Sequence, residues 1–161
     1  MSAYYYHSSM GAVFSSMLCV IGIFLLFYQG HDEYDNWLGN LACVFALGTA
    51  LVPTAEDGKP LEWWNSLHYI FAALLFIVLT LFSLWRFPRN KMRRRRNRIY
   101  YACGSIMTIC LLVLFSRLFH EGSTKNAWDE RHIVFWLEMI VVMAFGLSWL
   151  TKGRAMFKDK D

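Results

Sequence analysis

Apolar residues gather into five runs along the chain, Gly11 to Tyr28, Trp37 to Ala55, Ser66 to Phe87, Ile99 to Phe119 and Ile133 to Leu150, of 18, 19, 22, 21 and 18 residues. At about 1.5 Å per residue a helix of such length reaches roughly 27–33 Å, enough to cross a hydrocarbon core of about 30 Å. The connectors between them, Gln29 to Asn36, Glu56 to Asn65, Pro88 to Arg98 and His120 to His132, are short and polar. The pattern predicts an all-α integral membrane bundle of five transmembrane helices in a single domain over residues 1–161. The first run is N-terminal, yet Met1 to Met10 has no Lys or Arg to form the basic region of a secretory signal, so it is read as a spanning helix. Tyr4, Tyr5 and Tyr6 suit a headgroup-level aromatic belt.

Composition points the same way. Hydrophobic residues make up 57% of the chain and charged residues 17%, against about 45–50% and about 25% in soluble domains, and the mean hydropathy is +0.32. A disordered tail, a collagen-like fibre and a disulfide-rich secreted scaffold are excluded. Cys19, Cys43, Cys103 and Cys110 lie inside apolar runs without C-x-x-C spacing and read as small core residues.

The net charge of +4 is unevenly distributed. RFPRNKMRRRRNR, after the third run, holds Arg86, Arg89, Lys91, Arg93, Arg94, Arg95, Arg96 and Arg98, and the tail TKGRAMFKDKD holds four more basic residues. Lys and Arg excess marks cytoplasmic segments, so five spans place the C-terminus in the cytoplasm and the N-terminus outside, with a bacterial inner membrane as the expected location. The acidic HDEYDN connector then also lies inside, where its charge counts little for topology.

Two anomalies carry candidate chemistry. Glu138 sits five residues into the last run, deep enough that a carboxylate needs a partner, a proton or water. Arg117, at a matching depth at the end of the fourth run, is its expected partner, although a buried Arg and Glu pair equally serves to fix helix register. His68, at the outer start of the third run, faces the same leaflet, and histidine is a residue type that often serves as a metal ligand or proton carrier. Together His68, Arg117 and Glu138 outline an outward-facing polar pocket. An alternative assembles His68, His120, His132 and Glu138 into a metal site, though no H-x-x-x-H or H-E-x-x-H puts two ligands on one helix face.

The corner ALGTALVPTAEDGKPLEWWNSLH adds a stripe of Gly39, Cys43, Ala46 and Ala50, which lets another helix approach closely, with Pro53 ending the helix and Trp63 and Trp64 at the interface. The run Arg93, Arg94, Arg95 and Arg96 is a juxtamembrane basic cluster of the kind that attracts anionic lipid, at about 1 kcal/mol per residue. It lacks the interleaved aromatics or reading helix of a nucleic-acid site, so nucleic acid is not an expected partner.

ALGTALVPT, HYIFAALLF, RNRIYYACG and WLEMIVVMAFGLSWLTKG together resemble a group of small bacterial membrane proteins and, more remotely, the superfamily of damage-regulated autophagy modulator (DRAM-like) proteins. There the corresponding helices have a Gly- and Pro-containing outer end followed by a helix that begins with His. The resemblance covers Trp37 to about Leu150. It implies a lipid-associated role and supplies no catalytic residue, and those proteins usually have six spans where five are counted here.

The leading expectation is a non-enzymatic protein whose His68, Arg117 and Glu138 bind a lipid headgroup or a small polar ligand. An intramembrane metal-dependent lipid hydrolase is the second reading and a homo-oligomeric channel or transport component the third. No cofactor is predicted on the leading reading; zinc, with its activated water, belongs to the second, and a b-type haem between His68 and another outer histidine is a further alternative. Membrane lipids are the expected partners, with a homo-oligomer under the third reading.

Overall fold

In lipid every backbone N–H and C=O must be satisfied within the segment, which leaves long apolar runs the helix as their structure. A computed structural model of the protein describes residues 10–28, 30, 32–52, 63–88, 94–116 and 133–153, and these residues form helices without a strand. They are α1 (Met10–Leu26), α2 (Glu33–Leu51), α3 (Trp63–Leu81), α4 (Arg94–Ser116) and α5 (Ile133–Lys152), with a π-helical turn over Phe82–Arg86 continuing α3. Three of them, 66–86, 94–116 and 133–152, are long and apolar enough to cross a membrane. α1 is apolar but shorter, and α2 spends its first turn on Glu33 and Asp35.

Local chemistry explains where the boundaries differ from the apolar runs. α2 begins four residues before Trp37 because Asp32 adopts an extended N-cap conformation and its carboxylate accepts from the Asp35 N–H; acids in the first turn also suit the positive end of the helix. It ends at Leu51, four residues short of the predicted Ala55. Val52 turns to φ −85°, ψ 120°, the extended conformation that a following proline imposes. α4 begins at Arg94 rather than Ile99, so arginines predicted to lie in a connector form its first turn.

The chain divides at Val78 into two compact units, each with its own packing. In the first, α1 packs on α2 through the small-residue stripe. Gly39, Cys43, Ala46 and Ala50 are all buried. A Cβ on Gly39 would stand 2.7 Å from the Leu25 carbonyl oxygen, and one on Gly22 would stand 3.3 Å from Ala46 Cβ, so the two backbones touch because side chains are missing there. Farther along α2, Gly48 makes room for the Phe71 ring of α3.

In the second unit α4 packs against α5 and against the π-helical turn. That turn closes with the Phe87 N–H donating to the Phe82 carbonyl at 2.9 Å, and Phe87, 3% exposed, becomes an aromatic hub. Its ring centroid lies 5.5–6.4 Å from those of Phe82, Tyr100, Phe145 and Trp149, while Lys152 Nζ sits 5.6 Å above it. Nearby, Ser83 Oγ donates to Ser148 Oγ at 2.8 Å, with both serines fully buried.

Candidate functional site

Once α4 is seen to start at Arg94, the arginines separate by helical geometry. Residues three or four apart share a face, and the buried face of α4 runs Arg96, Tyr100, Cys103, Met107 and Cys110. Arg96 therefore points inward, at 5% exposed. Its Nη2 donates to the carbonyls of Thr151 and of Lys152 (3.0 Å) and to the Tyr100 hydroxyl at 3.2 Å. The last carbonyls of a helix have no intrahelical donor and carry its partial negative charge, so Arg96 caps the C-terminus of α5. The expectation of one lipid-facing surface through Arg93, Arg94, Arg95 and Arg96 is corrected at Arg96, because the 3.6-residue period turns that position into the protein.

Arg94, Arg95 and Arg98 are exposed, and Arg93 lies outside the described residues. On the side of α4 that bears Arg94 and Arg98, an open groove of about 520 Å³ is lined by Arg94, Asn97, Arg98, Tyr101, Ala102 and Ser105. All six belong to one helix, at the spacing that brings successive turns onto one face. The groove combines two guanidinium groups with a phenol, an amide and a hydroxyl, and so offers many donors and a local positive potential. Sequence reasoning missed this face: with the helix start placed five residues late, Arg94, Asn97 and Arg98 were left off the helix whose face Tyr101, Ala102 and Ser105 continue.

Of the residues expected to form the outward-facing pocket, His68 and Glu138 are among the described ones. His68 is buried on α3, and its Nδ1 donates to the Val52 carbonyl at 2.8 Å. This satisfies an acceptor at the end of α2 and ties α2 to α3. The Tyr69 ring stands edge-on to the imidazole, with centroids 5.8 Å apart. Glu138 is half-buried on α5. Arg117, His120 and His132 lie outside the described residues, and so do residues 53–62 of the corner. Among the described residues no three metal-ligating side chains come together.

The chain matches no protein-family model, and neither a curated protein nor a solved structure is found to be similar to it.

Proposed function

We propose that this chain is a multi-pass, non-enzymatic membrane protein that binds anionic lipid headgroups at the arginine-bearing end of α4, with that end in the cytoplasmic leaflet. One observation carries the reading: three arginines are exposed at the start of an apolar helix long enough to span, where no acidic residue occupies the first turn. Cations at a helix N-terminus oppose its dipole, so a negatively charged partner relieves the arrangement. The headgroup layer supplies one at that depth, and juxtamembrane Lys and Arg gain about 1 kcal/mol each from anionic lipid. The inward-turned Arg96 holds α4 against α5 and keeps the other arginines facing out.

In this reading all five helices cross the bilayer. α1 and α2 reach across with the help of their flanking polar turns. The recognised chemistry is the anionic lipid expected from the sequence at the arginine run; the outward-facing pocket of His68, Arg117 and Glu138 is not part of this reading.

The test is the phospholipid that accompanies the full-length protein through purification in mild detergent. The expected result is enrichment of anionic over zwitterionic lipid relative to the host membrane, lost when Arg94, Arg95 and Arg98 are all replaced by Gln. Lipid in the same proportion as the host membrane, unchanged in that variant, overturns the proposal.

A further inference from the structure

We infer that the groove on α4 is a discrete site for one anionic phospholipid, with the phosphate held between Arg94 and Arg98 and an acyl chain lying along the same helix face. The inference rests on the reading of this end as lipid-binding and goes beyond it: general attraction to a charged surface needs no groove and does not distinguish one exposed arginine from another.

Placement supplies the argument. Arg94 and Arg98 are one turn apart on one face, about 6 Å along the axis, so both planar guanidinium forks can address a single phosphate, each able to give two parallel hydrogen bonds. Beyond them the groove continues past Tyr101, Ala102 and Ser105. Tyr101 and Ser105 carry hydroxyls where the glycerol and ester oxygens of a phospholipid would lie, and Ala102 leaves the floor low. Farther along, the same face carries exposed aliphatic side chains. Ile109 is 60% and Leu112 66% exposed, four and seven residues past Ser105, which extends the strip from Arg98 to about 21 Å along the axis.

A face that changes from two cations, through hydroxyls, to bare aliphatic side chains matches the polarity profile of a phospholipid from phosphate to acyl chain. Arg95 is exposed too, but it does not line the groove. It is an internal control of equal charge.

The test uses the full-length protein in detergent micelles, with native mass spectrometry reading stoichiometric adducts as phosphatidylglycerol or phosphatidylcholine is titrated in. The expected result is one high-affinity phosphatidylglycerol per protomer and no comparable phosphatidylcholine site. Arg94→Gln and Arg98→Gln should each weaken it about fivefold, the factor corresponding to about 1 kcal/mol per basic residue, and the pair about 25-fold. Arg95→Gln should weaken it less than twofold. Ala102→Trp, which fills the groove without changing charge, should weaken it about tenfold while circular dichroism and thermal stability stay as in the parent. Millimolar inorganic phosphate should not compete, since it lacks the acyl chain.

Equal losses from Arg95→Gln and Arg94→Gln, or undiminished binding in Ala102→Trp, overturn the discrete site while leaving general anionic-lipid attraction standing. Effective competition by inorganic phosphate overturns the lipid as occupant. Absence of any phosphatidylglycerol preference removes both this inference and the reading on which it rests.

Discussion

Replacing Arg96 by Met removes the cation that closes the end of α5 while keeping a flexible side chain of similar length. Three acceptors lose their donor: the Thr151 carbonyl, the Lys152 carbonyl at 3.0 Å and the Tyr100 hydroxyl at 3.2 Å. Hydrogen bonds from a charged donor contribute about 1.5–3 kcal/mol each, so the two carbonyl contacts give about 3–6 kcal/mol in gross terms. Against this stands the desolvation of a guanidinium that is 5% exposed, which for a buried ion amounts to several kcal/mol and is recovered when the charge is removed. The net expectation for Arg96→Met is a loss of about 2 kcal/mol. Arg96→Lys keeps the charge without the planar fork and should recover about half of that. Tyr100→Phe, which removes the longest contact, should cost less than about 1 kcal/mol. Equilibrium unfolding in mixed micelles, followed by tryptophan fluorescence and far-ultraviolet circular dichroism, measures all three. Arg96→Met as stable as the parent, or more stable, refutes the reasoning, because the α5 carbonyls would then not depend on this guanidinium.

Further outcomes follow from close packing and from buried polar pairs. Gly39→Ala places a methyl 2.7 Å from the Leu25 carbonyl oxygen and should lower stability by about 1–3 kcal/mol; Gly146→Ala, with nothing within 4 Å of the new atom, should be neutral or stabilising by up to about 1 kcal/mol through helix propensity, and both are read in the same unfolding assay. A double-mutant cycle of Ser83→Ala and Ser148→Ala should give a coupling near 0.6 kcal/mol, the usual worth of an interhelical hydrogen bond in a membrane protein, and zero coupling would show that the pair does not hold the π-helical turn to α5. For topology, cysteines introduced at Asn90 and at Asn126, in a background lacking the native four, should react with an impermeant maleimide from opposite sides of the membrane; labelling from one side contradicts the five-span reading.

Among the described residues each helix overlaps one of the apolar runs, and for the three long enough to span a membrane, run length and hydropathy are what lipid selects. Hydrophobic patterning placed three helix ends poorly. Asp32 and Pro53 set the bounds of α2 through capping and through the conformation that a proline imposes on the residue before it, and neither effect is visible in an apolar count. The start of α4 was missed because the tract from Arg94 to Arg98 is polar, and the error propagated: a run treated as connector has no faces, so four consecutive arginines looked equivalent. Counted with a helical period from Arg94, the same residues divide into Arg96, in line with Tyr100, Cys103 and Met107, and Arg94 and Arg98, in line with Tyr101 and Ser105.

The small-residue stripe of α2 was legible, since Gly and Ala at three- and four-residue spacing have a direct steric meaning; that α1 is the helix it receives is a matter of topology. His68 was legible as unusual but not as a cap, because its partner is a backbone carbonyl sixteen residues away. The π-helical turn and its Phe87 hub left no sequence signal distinct from ordinary helix.

The central claim is that α4 presents its arginines to anionic lipid in a bilayer. The most direct measurement is competition between brominated phosphatidylglycerol and phosphatidylcholine for the reconstituted protein, read by quenching of its tryptophans, of which Trp85 is 61% exposed at the same end of the chain's third helix. The account predicts that phosphatidylglycerol is favoured several-fold at low salt, that the preference shrinks as ionic strength rises, and that it disappears when Arg94, Arg95 and Arg98 are replaced by Gln. Equal quenching by the two lipids in the parent protein at low salt would contradict it.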